Sequence, residues 1–372
     1  MRDKQREALA AIRRGEKLPV ALVRQLGEGQ PADFFRIIIE GLGDSFDPRE
    51  AAAYEELMTA WIPPAPRVAP MIPSVVETVY VLSRVTLGAD IKITSLIFDA
   101  LKVRFPQANI VFVANRKCAE LYASDARISH IEAEYPRAGP VSQRIEFARE
   151  LRRKLEGRNR IVVDPDSRMT QLGLFPVCEP ERYFHFNSRT SDSEANLTTL
   201  TRDWVRDTFG RTGEAYIAPD RVSGNGGAAI SFGVGENESK RIAGDFEARV
   251  IRAIARTFQT IWIDRGAGGE EARRVTSAAR ESGCLDQVRF WEGSFAGFAS
   301  LISQCALYAG YDSAGQHAAA ASGVPLITLF KGAPSERFRE RWKPAGSGKV
   351  TVIDADALSP EACLERLGAL LE

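Results

Sequence analysis

Apolar positions along the chain fall into two regimes. Up to residue 65 they recur at helical spacing, in 8–12, 20–26, 34–39 and 51–61, with Gly and Pro breaking the runs. That spacing predicts a set of amphipathic helices. The proline-rich stretch 63–73 then reads as a linker. From residue 75 onward, short apolar and β-branched runs alternate with longer helical patterns. The expected order is strand 75–82, helix 91–105, strand 109–113, helix 141–155, strand 160–163, strand 183–186 and helix 194–209. Strands alternating with helices imply a parallel sheet covered on both faces.

The segment "PDRVSGNGG" at 219–227 is the best second linker, and after it the alternation restarts. Strands are expected at 229–232, 260–263, 287–291, 306–309, 325–330 and 349–353. Helices are expected at 245–257, 270–282, 295–303, 313–322 and 360–371. The chain therefore divides into a helical extension (1–65), a first Rossmann-like domain (66–218) and a second one (219–372). Two doubly wound domains in tandem face one another across a cleft. Ligands of such sheets bind outside the carboxyl ends of the strands, so function should sit in the strand-to-helix loops.

Composition narrows the class. Hydrophobic residues make up 44% and charged residues 26% of the 372 residues, a globular balance. Lys+Arg and Asp+Glu stand at 49 each, which leaves no global field to attract nucleic acid. Local basic character is confined to Arg2, Lys4, Arg6, Arg13, Arg14, Lys17 and Arg24 near the start. That segment admits a peripheral membrane contact, but a solvated helix face is the favoured reading. The five cysteines are scattered, without a CxxC pair, which suits a reducing compartment better than a disulfide framework or a zinc site. No signal peptide and no apolar run of membrane-spanning length is evident, so the cytoplasm is the expected location.

Three segments carry candidate chemistry. In "ALYAGYDSAGQHAAAASGVPLITLF" (306–330) a strand ends near Gly310, Asp312 and Ser313 occupy the approach to a helix, and small residues follow. The first turn of such a helix offers free N–H groups and partial positive charge to a diphosphate. Ser313 and His317, four apart, share one face there. The competing reading is an ordinary capped helix with a surface histidine. In "VYVLSRVTLGADIKITS" (79–95) a strand runs through a glycine-bearing turn into a helix beginning near Asp90. Asp90 is then either a general base aimed into the cleft or a helix cap. In "ISFGVGENESKRI" (230–242) a glycine-containing loop carries Glu236, Lys240 and Arg241. Lys240 is suited to neutralise a departing diphosphate. Of two lesser loops, "DPDSRMTQ" (164–171) offers Asp166, Ser167 and Arg168 for polar contacts or is a plain turn. "RGAGGEE" (265–271) lacks both GxGxxG and Walker spacing and reads as a tight βα turn.

Together the three segments resemble the bacterial heptosyltransferase family, also called glycosyltransferase family 9, over about residues 75–353. Arg84 and Asp90 match the family's R-x-x-x-x-G-D, although the glycine is displaced by one, to Gly88-Ala89-Asp90. Gly233, Gly235, Lys240 and Arg241 match its G-x-G … K-R-W, with Ile242 in place of Trp. Asp312, Ser313, His317, Ala319, Ala320, Gly323 and Pro325 match its D-[ST]-G-x-x-H-x-A-A-A-x-G-x-P, with Ala314 at the glycine position and Gly315 following.

The resemblance implies a GT-B-like architecture with acceptor on the first domain and donor on the second. It implies an inverting, metal-independent transfer from a nucleoside diphosphate sugar, ADP-heptose in the family, to a bacterial surface glycan or glycolipid, with no cofactor. Asp90 would be the base and Lys240 the leaving-group cation. Donor contacts would come from Gly233, Gly235, Glu236, Arg241, Asp312, Ser313, Ala314, Gly315 and His317, and acceptor contacts from Arg84, Asp166 and Arg168. Two rival readings use the same fold. One is a catalytically silent nucleotide- or sugar-binding protein; the other is a nucleotide-sugar epimerase.

Overall fold

A computed structural model describes residues 2–63, 68–224, 226–235, 237–266 and 268–372. Eleven strands among them form two parallel sheets. The first holds β1 (Thr78–Leu82), β2 (Asn109–Ala114), β3 (Ile128–Glu132), β4 (Arg160–Asp164) and β5 (Tyr183–His185), in the order β3-β2-β1-β4-β5. The second holds β6 (Ala228–Ser231), β7 (Ile261–Asp264), β8 (Val288–Trp291), β9 (Leu307–Tyr311), β10 (Leu326–Phe330) and β11 (Val350–Asp354), in the order β11-β10-β9-β6-β7-β8. Every residue of β4, β9 and β10 is buried, as expected for parallel strands covered on both faces. The expected α/β architecture of two doubly wound sheets is the observed one.

Twelve helices of seven or more residues cover these sheets among the described residues. They are α1 (Arg2–Arg13), α2 (Val20–Gly29) and α3 (Pro48–Met58) in the extension, then α4 (Ser95–Arg104), α5 (Val141–Lys154) and α6 (Leu197–Phe209) around the first sheet. Around the second lie α7 (Phe246–Ala255), α8 (Gly269–Glu281), α9 (Phe295–Ile302), α10 (Ala314–Ala321), α11 (Glu336–Trp342) and α12 (Pro360–Leu371). None is long and apolar enough to cross a membrane. Two elements depart from the sequence reading. Strand β3 and helix α11 were not expected; β3 is a mostly exposed edge strand and α11, "ERFRERW", is dominated by charge.

The extension is helical, as expected, but it is not an appendage standing clear of the cleft. Phe34, Ile38, Leu42 and Met58 pack with Leu82, Val85, Val162 and Met169 into one cluster on a face of the first sheet. Each of those four side chains is at most 1% exposed. Burial of such a group is worth about 1.5–3 kcal/mol, so the extension is held as part of the domain's core. Phe46 goes further and meets the second domain, with ring centroids 6.2 Å from Phe338 and 6.5 Å from Trp342 of α11. Of the expected linkers, 64–67 and Asn225 lie outside the described residues.

In both sheets the strand order reverses between the first and fourth strands, β1 beside β4 and β6 beside β9. A crevice opens at such a switch point. The loops that leave these four strands are the ones singled out in the sequence. Close packing is enforced there: a Cβ on Gly310 of β9 would lie 2.3 Å from the Ser231 carbonyl oxygen of β6. Gly310→Ala should therefore force the two central strands apart and cost about 1–3 kcal/mol. Chemical denaturation checks this, and an unchanged midpoint would show that the sheet yields freely.

Candidate active site

On the second domain, Gly233 and Gly235 lie in the loop after β6. A Cβ on Gly233 would sit 2.9 Å from Glu271 Oε1, and Gly235 adopts φ +60°, where a side chain is strained. Glu236 lies outside the described residues. The loop continues into a short turn, Glu238–Lys240, that delivers Lys240 to the loop after β9. There its ammonium donates to Asp312 Oδ2 at 2.6 Å. Gln316 donates to the other oxygen of Asp312, and Thr328 donates to Gln316 Oε1 at 2.7 Å. A hydrogen-bonded chain from Lys240 to β10 thus fixes the Asp312 loop. Arg241 pairs with Glu238 of its own turn and is partly exposed.

That loop feeds α10. Ser313 stands at its N-cap position in extended conformation, yet its hydroxyl makes no capping bond. The first-turn N–H groups therefore keep their partial positive charge without a side-chain partner. Gly315 is required in this turn, because a Cβ there would lie 2.3 Å from the Tyr308 hydroxyl. His317 is not the surface histidine of the competing reading; it is 5% exposed. Burial, with Lys92 and Lys240 nearby, pushes its pKa well below the usual imidazole value. A neutral imidazole is what remains at physiological pH, with one N–H to donate.

The first domain presses against this helix. A Cβ on Gly88 would lie 3.0 Å from His317 Cδ2 and 3.4 Å from Ala314 Cα, so glycine is what allows the two domains to meet here. Asp90, two residues on, does not point into the cleft as expected. It is 0% exposed. Its Oδ1 accepts from the Arg84 N–H and from Thr94 Oγ1, both at 2.8 Å, and its Oδ2 accepts from Ser83 Oγ at 2.5 Å. Burial raises its pKa, and these bonds offset only part of the shift. Through these three bonds the carboxylate holds the β1 turn together.

The three residues expected on the acceptor side are likewise committed to partners. Arg84 donates to the Pro165 carbonyl at 2.8 Å and to Ser188 Oγ at 3.2 Å, and burial lowers its pKa to about 10. Asp166 is 2% exposed and lies against Arg189, Ser188 and Arg84. Burial alone would raise its pKa, but Arg189, His185 and Arg84 outweigh it and hold the carboxyl well below the usual range. Arg168 pairs with Asp44 of the extension at 3.0 Å, and Arg189 reaches the same carboxylate at 3.3 Å. These side chains form a buried ionic network that fastens the extension to the β4 loop, and none presents a free donor or acceptor to an open surface.

Four residues at the junction were missed in the sequence. Arg341 of α11 is fully buried and donates to the carbonyls of Ser191, Ser193 and Ala195 in the first domain. Asn196 caps α6 through the Thr198 N–H and also donates to the Lys343 carbonyl at 2.6 Å. Lys92 joins the same carbonyl, and Gln316 braces Asp312. The one available signal was a lysine inside the otherwise apolar run that opens α4. Among the described residues no group of three or more His, Cys, Asp or Glu side chains is placed to hold a metal ion.

Two doubly wound sheets meeting at their switch points define a GT-B-like protein. Residues 290–370 match the family model of glycosyltransferase family 9 (heptosyltransferase). The fold is similar to a glycosyl transferase family 9 protein from Veillonella parvula, with TM-score 0.61, 15% identity and coverage of 82% of this chain and 99% of that one. It is also similar to ADP-heptose LPS heptosyltransferase II of E. coli (TM-score 0.55, 19% identity, 79% and 98% covered). A third similar structure is E. coli heptosyltransferase WaaC with ADP-2-deoxy-2-fluoro heptose (TM-score 0.58, 15% identity, 79% and 99% covered). A search of curated proteins finds no sequence match. The likeness to these structures is one of fold, and the family match covers the C-terminal part of the chain, where the Asp312–Pro325 motif lies.

The inward placement of Asp90 has a measurable consequence. Because its pKa is raised in the folded chain, the protonated form is favoured there. Its stability contribution is complete below the unfolded value of about 3.9 and is lost as pH rises through the folded value. The stability of Asp90→Asn relative to the parent should therefore improve as pH rises above about 4. Asp90→Ala, which orphans the Ser83, Arg84 and Thr94 donors, should cost about 1–3 kcal/mol for each donor left unpaired. Urea titrations of both variants as pH is raised test the assignment, and a pH-independent difference for Asp90→Asn would refute it.

Proposed function

We propose that the chain transfers a sugar from a nucleoside diphosphate donor, seated at the amino end of α10, to an acceptor hydroxyl entering from the first domain's side of the cleft. The observation that carries this reading is the uncapped first turn of α10, with Lys240 held beside it by Asp312 and Gly88 closing over it. Backbone amides and a lysine at one point suit two negatively charged phosphates. As the glycosidic bond to the diphosphate breaks, charge develops on the leaving oxygen, and fixed donors aimed there lower the barrier. Lys240, the α10 amides and the neutral His317 N–H would supply that stabilisation in place of a divalent ion.

An acceptor approaching from the Gly88 side faces the donor's anomeric carbon opposite the diphosphate. The bond to the diphosphate breaks as the new glycosidic bond forms in line with inversion, and the acceptor hydroxyl's proton passes to a phosphate oxygen of the leaving diphosphate or to water. Positioning by the two closed domains contributes the remainder. In this reading Asp90 is a positioning residue that shapes the turn bearing Gly88. The likeness to the E. coli heptosyltransferases supports an ADP-activated heptose as donor and a lipopolysaccharide-type surface glycan as acceptor. One observation favours a second reading. The Asp90 carboxylate is fully buried and engaged by donors of its own turn, which fits a nucleotide-sugar-binding protein that does not turn over.

Release of ADP from ADP-heptose in the presence of a lipopolysaccharide-core acceptor decides between the two. Binding without release supports the silent reading. Lys240→Ala should weaken ADP binding at least tenfold, because a charge-assisted contact of about 1.5–3 kcal/mol is removed, and EDTA should leave the affinity of the parent unchanged. Calorimetry provides both measurements. Loss of binding in EDTA would overturn the metal-free reading, and an unaffected Lys240→Ala would remove that lysine from the site.

A further inference from the structure

Lys92 lies on the π-helical turn Asp90–Thr94, a turn type that recurs at functional sites. The turn sends its side chain into the junction between the domains, where it is 3% exposed. Its ammonium donates to Asn196 Oδ1 at 2.7 Å and to the Lys343 carbonyl at 2.6 Å. Asn196 donates to that same carbonyl at 2.6 Å and to the Glu340 carbonyl at 3.2 Å. One ammonium and one amide of the first domain therefore grip the carboxyl end of α11.

Both acceptors of Lys92 are neutral. The charged and titratable groups facing it are Asp312 from the loop before α10, His317 from α10 and Arg202 from α6, the last partly exposed and paired with Glu214, with Lys240 acting on the imidazole as well. The side chain of Lys343 turns back to Glu340 of its own helix. Asp312 is already paired with Lys240. The junction thus encloses more positive than negative charge, and a buried ammonium without its own anion is costly. Closing the domains over Lys92 leaves a deficit that an anion beside α10 would fill.

We propose that Lys92 is a second cation for the diphosphate of the donor, and that it ties donor binding to domain closure because the ammonium that meets the anion also holds the two domains together. This rests on the reading of α10 as a nucleoside diphosphate site. It assigns a role to a residue outside the three sequence motifs. It also explains why a lysine occupies the turn between the apolar Ile91 and Ile93, both fully buried.

The proton balance follows. Burial first, and Arg202 after it, lower the Lys92 pKa to about 7 in the closed chain, with Asp312 opposing them. Above that pH the amine is increasingly neutral. An anion at α10 restores its preference for the proton, so binding takes up a proton and weakens as pH rises from 7 to 9. Arginine at this position keeps its charge throughout.

The test measures the affinity of the full chain for ADP and for adenosine by calorimetry, in the parent, Lys92→Met and Lys92→Arg, each checked for unchanged melting. Lys92→Met should lose at least tenfold in ADP affinity and nothing in adenosine affinity. Lys92→Arg should retain ADP binding with a flat profile between pH 7 and 9, where the parent declines. Equal losses for ADP and adenosine, or an undiminished ADP affinity in Lys92→Met, would overturn the proposal, as would a flat profile in the parent. Failure of the parent to bind ADP at all would instead overturn the reading of the α10 site.

Discussion

The arrangement of the two domains hangs on the guanidinium of Arg341. It is fully buried, and its two terminal nitrogens donate to the backbone carbonyls of Ser191, Ser193 and Ala195 rather than to a carboxylate, while its Nε has no partner. Burial lowers its pKa, which marks the cost of enclosing the charge. Three carbonyls converging on one cation offset that cost only if the segment and α11 are held in register. Once they are, everything else at the junction falls into place. Lys343 meets Asn196 and Lys92, Trp342 meets His317 and Phe46, and α10 meets the Gly88 turn. The site is thus assembled by contacts between domains and not by either one alone.

The extension takes part in the same assembly from the other side. Asp44 lies between Arg168 and Arg189, and the Gly43 carbonyl accepts from Arg189 at 2.6 Å. The Phe35 ring lies 4.1 Å from the Arg144 guanidinium and 5.0 Å from that of Arg168. Positive charge collected in the β4 loop is therefore answered by acidic and aromatic groups supplied by a distant part of the chain. Loops at a sheet's carboxyl end are normally open to a ligand. Here part of that opening is filled by the protein itself, which narrows the first domain's share of the cleft to the Gly88 side.

The parallel strands were legible in the sequence because burial on both faces demands continuous apolar runs, as in "RIVVD" of β4 and "LITLF" of β10. Strand β3 escaped because an edge strand with one wet face, "ISHIE", carries too few apolar positions to register. Helix α11 escaped for the opposite reason. Its charges look like a solvated face, whereas Arg341 is buried by partners more than a hundred residues away in sequence. That Lys240, Asp312 and Ser313 lie in the loops following β6 and β9 was legible, because those loops sit between clear strand and helix patterns. Asp90 was legible as a carboxylate in the turn after β1, because it keeps its separation from Arg84. That its own turn encloses it, through the Ser83, Arg84 and Thr94 donors, was not legible, because those bonds depend on how the turn folds back on itself.

The seam also contains its own optical probe. Trp342 is half-buried between the imidazole of His317, at 6.0 Å between ring centroids, and the phenyl rings of Phe46 and Phe338. Its indole nitrogen is buried with no hydrogen-bond acceptor. Any separation of the domains would deliver water to that nitrogen and remove the imidazole neighbour at once. Emission from this tryptophan should therefore shift to longer wavelength as the seam opens, so the chain reports its own conformation without an attached dye.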